Sequence, residues 1–293
     1  MKISAVINTY NEEKNLDRCL KSVKDFSDEI IVVDMHSNDK TVDIAKKYGA
    51  KVFLHEHTRY VEPARNFALR QAQGDWVLLI DADEELPSSL AKKLKEVIEI
   101  DRADFVEIPR KNIIFGKWIE HTRWWPDFLI RFFRKGKVKF SDEIHVPPTA
   151  GGEKMRLEPK EELAIIHYHL QTISQYLERL NRYTDIQSEE LGRQGYQFQV
   201  EDFVAKPAGE FFSRFFAGEG YKDGIHGLTL SVLQGFSELV VYLKIWEKQG
   251  FKDERISQLN KVAKKTLRDF FSWQQSVTSS FFKKLLLKFK SKI

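Results

Sequence analysis

The sequence predicts an α/β protein with a doubly wound, largely parallel sheet, followed by a helical C-terminal region. Three observations predict it. Short β-rich apolar runs alternate with amphipathic helical patterns over the first 100 residues, and hydrophobic, aromatic strand-like runs follow to about residue 169. From residue 172 onward helical periodicity dominates.

The strand-like runs are ISAVIN (3–8), EIIVVD (29–34), KVFLH (51–55) and WVLLID (76–81). Each is short and mostly apolar, as strands buried on both faces require. Between them lie helical patterns at 12–24, 40–48 and 62–73, and a fourth at 87–99 opens on Pro87, a first-turn position where the missing N–H costs little. Strand–helix–strand alternation implies right-handed parallel crossovers, and such sheets bind ligands beyond the carboxyl ends of their strands. Polar residues cluster at those ends, in 8–12, 34–39 and 81–85.

The later runs ADFVEIPR, NIIFGKWI, DFLIRFFRKGKVKF and LAIIHYHL read as mixed or antiparallel strands extending the same sheet. Breaks near GRQG, KPAG and KDGIHG divide the helical region. The expected organisation is a domain over 1–170 and a helical region over 171–293.

A composition of 42% hydrophobic and 31% charged residues excludes global disorder. Cys19 is the single cysteine, which excludes an intrachain disulfide or a multi-cysteine metal site and fits a reducing compartment. MKISAVINTY lacks the apolar core and cleavage site of a signal peptide, so a cytoplasmic location is expected. The apolar stretch GIHGLTLSVLQGFSELVVYL is interrupted by His226, Gln234 and Glu238, and no spanning helix is expected.

The net charge of +4 hides an asymmetry. Residues 251–293 carry 11 Lys+Arg against 3 Asp+Glu. In SSFFKKLLLKFKSKI, Phe282, Leu285, Leu286 and Phe289 recur at helical spacing among lysines. That pattern suits a helix lying on an anionic membrane surface, or one packing on its own protein with a solvated lysine face. No nucleic-acid recognition motif accompanies the basic segment.

Three strand ends carry candidate chemistry. Asn11 in NTYNEEKNL precedes a helix, where it serves either as a cap or as part of a nucleoside-holding loop. Asp34 ends the second strand and, if buried, needs hydrogen-bond donors. In DADEE, the D-x-D pair Asp81 and Asp83 can converge on a hard divalent cation that offsets the charge of a diphosphate leaving group. Glu84 and Glu85 read as an acidic start to the helix at Pro87.

With VINTYNEEKNL, IIVVDMHSNDKTVDIA, EPARNFAL and GDWVLLIDADEEL in this order, the first 100 residues resemble the family 2 glycosyltransferases of the GT-A fold, a Rossmann-like mixed sheet. The segment PRKNIIFGKWIEHTRWWPDFLIRFFRKGKVKFSDEIHV resembles their small bacterial subgroup that includes lipopolysaccharide-core glucosyltransferases. RFFAGEGYKDGIHGLTLSVLQGF resembles that subgroup's C-terminal region. The departure is DMHS, where relatives often carry a small-residue turn such as D-S-G-S.

The resemblance implies a nucleotide-diphospho-sugar donor, Mg²⁺ or Mn²⁺, and inversion by one direct displacement onto a glycolipid or cell-surface glycan, at the inner face of the cytoplasmic membrane. Thr9, Asn11 and Glu12 would line the nucleotide pocket, Asp34 would bind the base or ribose, and Arg65 would approach the nucleotide or diphosphate. Asp81 and Asp83 fall on the D-x-D, with Asp83 the main metal ligand.

Inversion also needs a base for the acceptor hydroxyl. Asp127 in RWWPD is the first candidate, Glu143 in SDEIHV the second and Asp142 a third, with His145 assisting the metal or phosphate. Asp127 otherwise reads as a turn residue after Pro126, and Trp124 and Trp125 as core. The pairs His55/His57 and His167/His169 each place two potential ligands on one strand face, without a compelling third. Two rival readings remain. A nucleotidyltransferase lacks support from a Gly-rich, basic phosphate loop, and a catalytically silent sugar-nucleotide or glycan-binding protein would keep the pocket without turnover.

Overall fold

The computed structural model describes residues 1–57, 62–141, 147–253, 256, 259–279 and 281–290. They form two compact units. The first comprises Met1–Ile113 and Pro126–His169, and the second comprises Ile114–Trp125 and the chain from Leu170 onward. The segment Ile114–Trp125, inside the 1–170 stretch of the sequence reading, thus belongs with the helical unit.

In chain order the first part alternates β1 (Ile3–Thr9), α1 (Leu16–Val23), β2 (Glu29–Asp34), α2 (Thr41–Lys47), β3 (Lys51–Leu54), α3 (Glu62–Gln71) and β4 (Trp76–Leu79). Then follow β5 (Glu84–Glu85), α4 (Ser88–Ile100), β6 (Phe105–Ile114), β7 (Lys117–Trp118), β8 (Asp127–Arg134), β9 (Val138–Lys139), β10 (Thr149–Ala150), β11 (Lys154–Arg156) and β12 (Ile165–Leu170). The main sheet runs β3-β2-β1-β4-β8-β6-β12-β5. Its first four strands are mutually parallel, and β8 pairs antiparallel with both β4 and β6. This is the mixed sheet expected from the βα alternation and the strand-rich stretch after it, and it fits the GT-A fold that the family resemblance implies.

Every residue of β1 is buried, as a central parallel strand requires. Alternation sends Ile3, Ala5 and Ile7 to the face covered by Leu16, Leu20, Leu90 and Leu94, while Val6 packs on the opposite face with Ala68 of α3 and Ala72 just after it. Trp76 and Phe132 stack with ring centroids 4.7 Å apart across the antiparallel seam. These layers hold the carboxyl ends of β1, β2 and β4 in one row. One expectation changes here. Glu84 and Glu85 do not start the following helix but form β5, which pairs antiparallel with β12 through Glu84↔His167 and Glu85↔Ile166.

In the second unit α5 (Ile173–Arg193), α6 (Asp202–Phe212), α7 (Ile225–Lys248), α8 (Leu259–Val277) and α9 (Phe281–Lys290) follow one another. GRQG and KDGIHG bound helices, but α6 runs unbroken through KPAG. Pro207 withdraws one backbone donor, and close packing on α7 compensates: a Cβ on Gly235 would come within 2.8 Å of the Pro207 carbonyl oxygen. By length and composition alone α7, with 24 residues, is long and apolar enough to cross a membrane, a test that a core helix also passes. The sequence expectation of no spanning helix rests on His226, Gln234 and Glu238 within this stretch. In its unit α7 is the central helix, burying Leu230, Val241, Tyr242 and Ile245, and Gln234 Nε2 donates to the Tyr176 hydroxyl of α5 at 3.0 Å.

Candidate active site

The loops after β1 and β2 are laced together. Thr9 Oγ1 and Ser37 Oγ donate to Asp34 Oδ1 at 3.0 and 2.6 Å, and the Ser37 amide donates to Oδ2 at 2.9 Å. Asn11 donates its backbone N–H to Ser37 Oγ and accepts at Oδ1 from the Asn38 amide, while the Glu12 amide donates to Thr41 Oγ1. Thr9, Asn11, Glu12 and Asp34 are therefore gathered at the adjacent ends of β1 and β2. Asp34 is 1% exposed and draws its donors from within the chain, so it holds the loop. Asn11 and His36 adopt left-handed backbone, φ 55° and 60°. His36 stands where the D-S-G-S turn has glycine, so the loop keeps the turn at some conformational cost.

At the end of β4 the carboxylates meet arginines. Asp81 accepts from Arg65 Nη2 at 3.1 Å and pairs with Arg131 Nη2. Burial pushes the Asp81 carboxyl up, but the guanidiniums of Arg131 and Arg65 outweigh it and hold the group well below the usual carboxylate range. Glu84 is fully buried: Oε1 accepts from Arg131 Nη2 at 3.2 Å and Arg110 Nη1 at 3.4 Å, and Oε2 accepts from the Asp81 amide at 2.9 Å. For Arg131, burial disfavours the charge, yet Asp81 and Glu84 raise its pKa further above the ordinary guanidinium value.

Asp127 begins β8 directly opposite Arg110 of β6. Arg110 donates through Nε and Nη2 to Asp127 Oδ2 at 2.9 and 2.6 Å, and Asn112 Nδ2 lies 3.3 Å from the same oxygen. Among the described residues no donor reaches Oδ1. Asn112 Oδ1 accepts from His167 Nδ1 at 2.7 Å. His167 Nε2 in turn sits 3.3 Å from Asp83 Oδ2 and 3.2 Å from His169 Nδ1. Asp81 is thus joined to Asp83 the long way round, through arginines, Glu84, Asp127, Asn112 and His167.

With Asn112 Nδ2 donating to Asp127, its Oδ1 accepts the Nδ1–H of His167, which leaves Nε2 an acceptor placed between the Asp83 carboxylate and the His169 ring nitrogen. Two acceptors so disposed suit a cation between them, one oxygen and one nitrogen ligand of the kind Mn²⁺ or Mg²⁺ accepts. Among the described residues no group of three or more His, Cys, Asp and Glu forms a complete metal cluster. Asp81, with both oxygens held by arginines, is not placed like Asp83.

Glu143, Asp142 and His145 lie outside the described residues. His55 Nδ1 is paired with the Glu56 carbonyl oxygen, and His57 lies against the Tyr10 ring, and among the described residues the first histidine pair gathers no ligand set. Trp124 packs on the apolar cluster of the helical unit, and Trp125 lies edge-on to Trp118.

Arg131, Arg110, Asn112 and Glu84 were absent from the sequence-derived site. Arg131 did carry a signal: a charged residue inside the apolar run FLIRFF must find a buried counter-ion.

Comparison with known proteins gives the family. The profile of glycosyl transferase family 2 matches residues 4–157, and the chain belongs to that family. An uncharacterised glycosyltransferase of Rickettsia conorii is 30% identical over 255 residues, covering 84% of this chain and 90% of the relative. The glycosyltransferase SunS of Bacillus subtilis is 35% identical over 153 residues, half of this chain and 34% of that protein. Among solved structures, S. aureus TarS 1-349 in complex with UDP aligns at 17% identity and TM-score 0.44, covering 88% of this chain and 95% of that one. Glucosyl-3-phosphoglycerate synthase from Mycobacterium tuberculosis with Mn²⁺ and UDP-glucose aligns at 25% identity and TM-score 0.32, covering 39% and 44%.

Proposed function

We propose that this family 2 glycosyltransferase transfers a sugar from a nucleotide-diphospho-sugar to a hydroxyl of a glycolipid or cell-surface glycan, with inversion and with a divalent metal. The lipopolysaccharide core is one acceptor of this class. The observation that carries the reading is the one-sided anchoring of Asp127. Its Oδ2 is saturated by Arg110 and Asn112, so the carboxylate is aimed, and Oδ1 is left to take a proton.

In this reaction the acceptor oxygen forms its bond to the anomeric carbon from the face opposite the leaving group as the bond from that carbon to the diphosphate breaks. The hydroxyl proton passes to Asp127 Oδ1, and the nucleoside diphosphate leaves with the bonding electron pair. Asp83 and His167 would hold Mg²⁺ or Mn²⁺, which supplies charge neutralisation of the leaving diphosphate. Asp81 keeps Arg65 and Arg131 in place beside that diphosphate, and the laced 8–12 and 34–41 loops support the nucleoside. This division narrows the expected metal ligation from two aspartates to Asp83.

We further assign the chain to the inner face of the cytoplasmic membrane, as a peripheral protein. Lys283, Lys284, Lys288 and Lys290 of α9 are exposed while Leu287 is buried, which supports a docked helix with a basic outer face.

A donor screen reporting released nucleoside diphosphate, with membrane extract as acceptor and with or without EDTA, tests the reading. Turnover of one sugar nucleotide, lost in EDTA and regained with Mn²⁺, is expected. Tight donor binding without any turnover would make the chain a silent binding protein instead.

A further inference from the structure

We infer that Glu84 is a positioning residue: the shared anion that seats Arg110 against Asp127 and so aims the acceptor-side carboxylate. The catalytic half of this inference rests on the proposed transfer reaction. Its structural half does not.

Glu84 is neither a helix-start acid nor a free surface charge. Its backbone is fixed on the sheet by the β5–β12 pairing, and its side chain is fully buried. A single oxygen, Oε1, accepts from two guanidiniums at 3.2 and 3.4 Å. Two cations that close repel each other unless an anion lies between them. Glu84 supplies that anion and at the same time ties the end of β4 to itself through the Asp81 amide.

The exposures decide which partner moves if the charge is removed. Arg131 has a 4% exposed side chain and is gripped by Asp81, whereas the side chains of Arg110 and Asp127 are 17% and 28% exposed. Repulsion between the guanidiniums would displace the looser one, Arg110, outward. Arg110 provides two of the three donors on Asp127 Oδ2, so the carboxylate would lose its aim although Glu84 itself touches no substrate. Misplacing a reacting group by about 1 Å costs up to about 100-fold in rate.

The test is Glu84→Gln in the full chain, beside Glu84→Asp, which keeps the charge on a shorter arm. For Glu84→Gln, transfer kcat should fall about 100-fold while the donor KM stays within about threefold. Glu84→Asp should regain about tenfold of that loss, a pattern that a purely structural role would not give. A crystal structure of Glu84→Gln should place Arg110 beyond hydrogen-bonding distance of Asp127 Oδ2. If Glu84→Gln does not fold, Glu84→Asp alone decides, with a displaced Arg110 and a lowered kcat expected. Wild-type kcat in the variant, or an Arg110–Asp127 contact that stays as it is, overturns the inference. Failure of the wild type to use any sugar nucleotide would count against the transfer reaction only, and the position of Arg110 would still decide the role of Glu84.

Discussion

Arg110 and Asp127 face each other across β6 and β8, and both guanidinium nitrogens that reach the carboxylate choose the same oxygen, at 2.9 and 2.6 Å. A carboxylate held by one oxygen keeps its direction and still offers the other. Asp127→Asn preserves the shape and removes the proton acceptor. Transfer kcat should drop by about 10²–10⁴-fold, with the donor KM little changed. Wild-type turnover would move the base to Glu143.

The two aspartates of DADEE should fail differently. Asp81→Asn leaves the buried Arg131 short of an anion and should lower unfolding stability by about 3 kcal/mol, read from urea melts. Asp83→Ala should leave melts near wild type, and Asp83→Ala and His167→Ala should both raise the Mn²⁺ needed for half-maximal transfer, about 10–100-fold for His167→Ala. Equal stability loss in all three variants would refute the division of labour.

Glu29 offers a pH test away from the site. Burial pushes its carboxyl up, but the Lys51 ammonium, the Ser4 hydroxyl and the Gln73 N–H outweigh this and bring it down to about 2. A carboxyl lowered on folding stabilises the fold above its unfolded value, and that stability is lost as pH falls through the folded value. With the Lys51 partner screened by solvent, Glu29→Gln should therefore cost about 1 kcal/mol at pH 7. The gap from wild type should close as pH falls from about 4.5 to about 2. A gap that stays constant with pH would assign the loss to packing.

Gly227 of α7 sits where a Cβ would lie 1.8 Å from the Gly220 carbonyl oxygen. Gly227→Ala must push the two segments apart and should destabilise the helical unit by about 1–3 kcal/mol. Limited proteolysis at temperatures below the wild-type melt would detect it as earlier cleavage within 170–290.

Neutralising Lys283, Lys284, Lys288 and Lys290 to Gln should weaken binding to phosphatidylglycerol vesicles by about 1 kcal/mol per residue at low salt, with little effect on neutral vesicles. Deleting 277–293 should do at least as much. Unchanged sedimentation with anionic vesicles in both variants would end the membrane assignment.

Much of this was legible in advance because its causes are local. The apolar runs of β1, β2 and β4 needed only hydrophobic periodicity to be seen, and their polar ends followed from where the runs stop. The KPAG stretch misled because proline's local penalty is set against packing between α6 and α7, which no local pattern records. Glu84 and Glu85 misled for the same reason. An acidic pair before Pro87 fits a helix start, and pairing with a strand 80 residues later decides otherwise.

The sequence by itself therefore determined the alternation of strands and helices, the strand ends that carry Thr9, Asn11, Asp34, Asp81 and Asp83, and the crowding of carboxylates in DADEE, which calls for a positive partner. Tertiary structure decided what that positive charge is. Arg131 stands 50 residues from Asp81 along the chain, and Arg110 stands 26 from Glu84. The antiparallel registers of β4 with β8 and β8 with β6 bring them to one place. Buried charges are costly unless paired, and pairing acts through space between chain segments whose distance in sequence carries no trace of it.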